Sequence, residues 1–388
     1  MSFQNLTVLC HGRTIRDDFV FPEAEWLARD AKARELMERK NLDGLLIFAE
    51  SGQTRGNVCY LTNYNQSLTW GCSMLVFPKD GEPRLLATIA PRDVGHRKPA
   101  LRPFLELVPL GLKLTSNEHL SLLSISYMRE NGLLEGKRWG TVNIAKMPQA
   151  VADPWREVYP DGMPDCTEEF GRLRAVKSKN EIYALSTASS IAKTAVFDYL
   201  RMAQPGENEM TVAADIDRLA RLKGCESVSL LTYSGKDGET MLRVPWDRNF
   251  ECGDTVSAFM CVSYLRYYGA YGATTVIGGR SSEQDALFAA AEEIFAKKIN
   301  EMRTGSVLTG YAEGRCGTSG ANYYTIVNGV GMDLCDYPDS QGESVEVLEN
   351  MTFTVSLSVK NAGVGSVLIS RNMLVTSDGI FPLSGFDS

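Results

Sequence analysis

The chain has 388 residues, enough at about 150 residues per domain for two domains with substantial cores. Apolar residues make up 44% and charged residues 23%, which excludes a disordered chain, and 40 basic against 48 acidic side chains leave a net charge of −8, which argues against a nucleic-acid surface. No run approaches the roughly 20 apolar residues of a membrane span, and the opening MSFQNLTVLCHGR breaks too early for a signal peptide, so neither a membrane partner nor a nucleic-acid partner is expected. In chain order, Trp26 to Asn41 carries apolar residues at helical spacing and leads into a buried strand, LLIFA. Strands are predicted at 58–60, 73–77 and 84–87, a helix at 117–131 and a strand at 138–144, an alternating α/β pattern. The proline-rich stretch 146–171 reads as a linker or boundary crossing, which puts one domain at 1–164 and a second at 165–388.

The second half changes texture. Helices are predicted at 179–202, stopped by Gln204-Pro205-Gly206, and at 209–223. Strands follow at 226–233, 255–265 and 270–277, then a helix at 281–302 and strands at 351–360, 366–376 and 380–383. Runs of helices and runs of strands predict an α+β domain with helices on one face of a curved antiparallel sheet. Nine cysteines with no CxxC pair read as reduced thiols of a cytoplasmic protein. Histidine occurs only at 11, 96 and 119, so any imidazole chemistry must draw on the first third of the chain.

Several short segments stand in a telling order: Arg172-Leu-Arg-Ala-Val-Lys-Ser-Lys-Asn-Glu-Ile, Pro205-Gly-Glu-Asn-Glu209, Tyr233-Ser-Gly235, Cys252-Gly-Asp254, Asn328-Gly-Val-Gly331, Met351-Thr-Phe-Thr-Val and Leu374-Val-Thr376. With NVCYLTNY in the first half, this order resembles the creatinase, aminopeptidase P and prolidase superfamily, the pita-bread fold. The resemblance implies a creatinase-type N-terminal domain, a C-terminal pita-bread domain and, for most of the family, two metal ions held by two aspartates, a histidine and two glutamates. The matching positions here are Phe259, Thr274, Asn328, Ser356 and Ser370, and a second family histidine falls at Cys335. Hard divalent ions need several carboxylate oxygens, so no metal and no cofactor is expected.

Creatinase is a metal-free relative, and the resemblance implies a metal-independent hydrolase of a non-peptide carbon–nitrogen bond in a small polar substrate. Creatinase activity itself is not expected, because its histidine position falls at Leu242 or Arg243 and its glutamates at Thr275 and Ser356. A lyase or carbon–carbon bond-cleaving enzyme using Tyr, Cys or Asp is one alternative. A non-catalytic binding protein that kept the fold is another. The catalytic candidates are Asn328 as an oxyanion donor, Tyr271 and Asp336 as proton carriers and Cys335 as a thiol. Arg243, Arg266 and Arg371 are candidate carboxylate clamps, with Tyr268, Thr274, Ser356 and Ser370 on the pocket wall. By resemblance to creatinase-like homodimers, Tyr64, Trp70 and His96 would reach the partner's pocket.

Overall fold

A computed structural model describes residues 9–10, 13–14, 21–50, 54–65, 72–88, 101–102, 105–110, 117–236, 242–316, 320–339 and 344–385. The chain forms two compact units, Met1–Arg174 and Ala175–Ser388. None of the described helices is long and apolar enough to cross a membrane.

Unit 1 begins its core with α1 (Glu23–Lys40), which buries Trp26, Arg29, Asp30, Ala33, Leu36 and Met37 along one stripe. Asn41 ends the helix in the left-handed conformation at φ 54°, the termination an asparagine tolerates best after glycine. The strands β1 (Gly44–Glu50), β2 (Cys72–Pro78), β3 (Arg84–Ala87), β4 (Glu106–Pro109) and β5 (Trp139–Val142) form a sheet in the order β4-β3-β2-β1-β5. Its pairing is parallel between β1 and β5 and between β3 and β4, and antiparallel elsewhere.

Two expectations fail here. The strand predicted at 58–60 is the second turn of α2 (Arg55–Thr62), whose eight residues are all buried. A helix buried on every side shows no polar face, so its sequence carries no helical period to read. The predicted linker 146–171 contains α4 (Gln149–Val158) and α5 (Thr167–Ala175), which follow α3 (Asn117–Glu130); Val151 and Trp155 of α4 belong to the core beneath the sheet.

Unit 2 opens with α6 (Lys179–Met202), started by a capping box in which Ser178 and Glu181 exchange side-chain and backbone hydrogen bonds. α7 (Glu209–Leu222) follows, its first turn capped by Asn208. The strands β6 (Ser227–Gly235), β7 (Thr255–Tyr264) and β8 (Tyr267–Val276) come next, then α8 (Ser282–Glu301). β9 (Tyr311–Arg315), β10 (Asn322–Gly329), β11 (Thr352–Asn361), β12 (Gly365–Thr376) and β13 (Gly379–Pro382) complete an eight-stranded sheet in the order β9-β10-β11-β12-β8-β7-β6, with β13 on β12. Every pairing is antiparallel, as the α+β expectation required. The helices lie on one face of this sheet. Val256, Ala258, Met260 and Val262 pack with residues of α6 and α7, while Leu357, Val359 and Val367 pack with Leu287 and Ala291 of α8.

Candidate functional site

Strand alternation decides what the opposite, helix-free face carries. The residues between those packed against helices are Ser257 and Phe259 of β7, Gly272 and Thr274 of β8, Asn328 of β10, Thr354 and Ser356 of β11, and Ser370 of β12; Asn372 of β12 has the same parity, but its amide donates to the Ser189 hydroxyl of α6 at 3.2 Å. Pairing aligns Ser356, Ser370, Gly272 and Phe259 directly across four strands. Asn328, Thr354 and Asn372 form the row on one side. Thr274, Ser257 and Tyr233 form the row on the other.

The register of β7 on β8 is set by an unusual turn. Leu265 and Arg266 join Tyr264 to Tyr267 with φ of 48° and 73°, a conformation that glycine or asparagine adopts at less cost. Buried Glu226 compensates. It accepts the Arg266 N–H at 3.0 Å, the Arg266 guanidinium and the Ser263 hydroxyl at 3.2 Å, so one carboxylate holds both sides of the hairpin. This register places Gly272, not Thr274, in the row of Phe259, Ser356 and Ser370, and Thr274 lies one row away.

The helix-free face is a field of hydroxyls and amides that mostly satisfy one another. The Ser356 and Ser370 oxygens are 2.8 Å apart, as are those of Ser257 and Thr274, and the Thr354 hydroxyl donates to Asn372 at 2.9 Å. Tyr233 differs. It is 6% exposed, and its hydroxyl has no hydrogen-bond partner among the described residues. A buried phenol left without a partner costs about 1–3 kcal/mol, which a bound carbonyl would recover. Tyr233, though part of the Tyr233-Ser-Gly235 segment, and Ser257 were not among the candidate site residues; period-two alternation along their strands is the signal that would have found them.

Other expected site residues lie elsewhere. Tyr271 and Arg371 are a cross-strand pair on the helix-covered face, with the guanidinium 3.8 Å from the ring centroid. Burial pushes the Tyr271 phenol upward, with Arg371 offsetting part of the shift, so it is poorly suited to carry protons at neutral pH. Arg243 is spent on Glu209, its Nη1 2.7 Å from Oε1, and does not reach the helix-free face. Asp336 is buried beside Gly331 and accepts the Tyr337 N–H at 2.9 Å, whereas Cys335 is exposed. Tyr268 is half-buried and its N–H donates to Gly331 at 2.8 Å. Tyr64 is buried inside unit 1, and Trp70 and His96 lie outside the described residues.

The chain is similar to proteins of known fold and activity. A Xaa-Pro dipeptidase of Pyrococcus horikoshii is 26% identical over 216 residues, 53% of this chain and 62% of that protein, and one of Pyrococcus furiosus matches to the same extent. The chain thus spans 62% of the length of these two relatives. An uncharacterised peptidase of Bacillus subtilis is 25% identical over 357 residues, 90% of this chain and 95% of that one. Among solved structures, the P. horikoshii prolidase has a TM-score of 0.73 at 17% identity, covering 93% of this chain and 99% of that one. The Thermotoga maritima X-Pro aminopeptidase gives 0.75 at 15% identity, covering 92% and 98%. These two structures carry the fold, the two-domain pita-bread architecture.

The relatives overturn one expectation. Proteins named as Xaa-Pro dipeptidases act on peptides, so the expected hydrolase of a non-peptide carbon–nitrogen bond is withdrawn, and none of these relatives gives ground for a lyase. Hydrolytic enzymes are nonetheless the company this chain keeps. The metal pair implied by the family does not fit the residues present. Phe259 has no donor atom, Ser356 and Ser370 are neutral hydroxyls bonded to each other, Asn328 is an amide, and neither Gly272 nor Thr274 supplies a carboxylate. Among the described residues no group of three or more His, Cys, Asp or Glu side chains is placed to hold a metal ion. The sequence profile of the M24 metallopeptidases nonetheless matches residues 184–377, half of the chain, and the protein belongs to the M24 family.

Proposed function

We propose that unit 2 recognises short peptides of the class its relatives act on, Xaa-Pro among them, on the helix-free face, and that it does so without a pair of divalent ions. The observation that carries this reading is the unpartnered Tyr233 hydroxyl in one row with Ser257 and Thr274. A peptide carbonyl is the neutral acceptor that such a donor takes, and Phe259 gives the ligand an apolar contact where a carboxylate would otherwise stand. Neutral hydroxyls and amides suit an uncharged amide better than a cation. The homodimer and the cytoplasmic location implied by the family resemblance belong to the same reading.

Titration calorimetry with Ala-Pro tests it. Saturable binding is expected, unchanged by manganese or by a chelator, and about tenfold weaker in Tyr233→Phe, the equivalent of one hydrogen bond or ~1.4 kcal/mol. Absence of binding at millimolar Ala-Pro, or equal affinity in Tyr233→Phe, would overturn the assignment.

A further inference from the structure

On the helix-covered face of unit 2 a cavity of about 280 Å³ opens between α8 and the strands β8 and β12. Its cause is visible in the pairing. β8 and β12 share only two residue pairs, Tyr271 with Arg371 and Gly272 with Ser370. Beyond them the Leu368 N–H turns to the Thr274 hydroxyl at 2.9 Å in place of a backbone carbonyl, so the strands part and leave space under the helix.

The walls are apolar, formed by Ala273, Val367 and Ile369 from the strands and Phe288 and Phe295 from α8. Among the described residues one cation, Arg371, lines this space. The Arg371 guanidinium stacks on Tyr271, whose ring centroid is in turn 5.7 Å from that of Phe197 on α6. Its Nη1 donates to the Ser370 carbonyl at 2.8 Å and to that of Gly272. Among the described residues its Nε and Nη2 have no acceptor and it forms no ion pair, and burial lowers its pKa. Glu292 also lines the cavity, but it is exposed on α8 and forms no ion pair with Arg371 among the described residues.

A guanidinium that lines an apolar cavity with two of its nitrogens lacking acceptors among the described residues is complementary to a carboxylate with an apolar body. The volume, at the small end of ligand pockets, limits that body to a short aliphatic chain or a single ring. We propose that this cavity, which borders the helix-free face at Thr274, is a binding site for small apolar monocarboxylates, with Arg371 as the anion clamp and Phe288 and Phe295 as the walls around the body. Stacking on Tyr271 fixes the guanidinium plane, so little rotamer entropy is lost on binding.

Hexanoate and hexanol are the probes, with affinity measured by calorimetry on the full chain. Hexanoate is expected to bind saturably and at least tenfold more tightly than hexanol. Arg371→Met, which keeps length and loses charge, is expected to remove that preference, and Glu292→Gln to tighten hexanoate by relieving repulsion. Because Arg371 also ties two strands, a second variant guards against misfolding: Ala296→Trp, at an exposed position on the cavity rim, fills the space without touching the core. It should abolish hexanoate binding while the melting temperature holds. Equal binding of hexanoate and hexanol, or hexanoate affinity unchanged in Ala296→Trp, would overturn the proposal.

Discussion

Gly269→Ala is expected to unfold unit 2 or leave it with a sharply lowered melting temperature. A methyl group at this position would lie 2.1 Å from the Ala188 carbonyl carbon and 2.3 Å from the Ser189 nitrogen, inside the backbone of α6. Carbon–carbon contacts relax only near 3.5–4.0 Å, so the helix would have to retreat from β8 by more than about 1 Å. That movement would open the core built from Ala188, Ala192, Val262 and Met260. Overpacking against a movable side chain costs about 1–3 kcal/mol; against a helix backbone the cost is expected at or above ~3 kcal/mol, a large share of a typical domain's stability. Trimming the neighbour should not help, because the obstacle is main chain: Gly269→Ala with Ala188→Gly should melt no higher than Gly269→Ala alone. A wild-type melting temperature in Gly269→Ala would show that α6 and β8 are not in this contact.

Glu209→Ala is expected to cost about 3 kcal/mol in denaturant unfolding. The carboxylate is fully buried at the start of α7 and accepts from Thr232 at 2.6 Å, from Ser234, from Arg243 at 2.7 Å and from the Trp246 N–H at 3.2 Å. Removing it leaves several donors without an acceptor, although Arg243, 21% exposed and stacked on Trp246, can still turn toward water; this puts the cost at the lower end of the 3–5 kcal/mol range for a broken buried pair. Burial alone would raise the pKa of Glu209, but the bonds from Arg243, Ser234, Thr232 and Trp246 outweigh it and hold the group below the ordinary carboxylate range. The unfolded chain therefore binds a proton that the folded one refuses. The stabilisation is present above pH ~4.3 and is lost as pH falls through the depressed folded value. Glu209→Gln should accordingly show a shallower loss of stability between pH 5 and 3 than wild type, and an unchanged slope would contradict the assignment.

Much of this architecture is written locally in the sequence. The capping residues Ser178 and Asn208, the stop at Gln204-Pro205-Gly206 and the apolar stripe of α1 each mark an element by chemistry that acts within a few residues. What was not legible depends on partners far along the chain. α2 shows no helical period because all of its residues are buried, and the strand register of Thr274 depends on a Leu265-Arg266 turn that carries no glycine or asparagine and is held by Glu226, about 40 residues upstream. The same limit misplaced Tyr271 and Arg371. Their chemistry was apparent, but the face they occupy follows from parity relative to Phe259 and Ser370, one residue either way exchanging helix side for open side. Phe259, Ser356 and Ser370, by contrast, were matched to family ligand positions from sequence order alone, and cross-strand pairing brings them into a single row with Gly272.

That row carries the central claim, that an M24-family sheet here holds hydroxyl, amide and phenyl groups where a two-metal centre would need carboxylates and imidazole. Hydrolysis of Ala-Pro, followed with and without millimolar manganese, tests it most directly. The account predicts no manganese-dependent rate above that of a buffer control, in wild type and in Ser370→Ala alike. Manganese-activated hydrolysis that a chelator abolishes would contradict it, because it would require a metal centre that Phe259, Asn328, Ser356 and Ser370 cannot build.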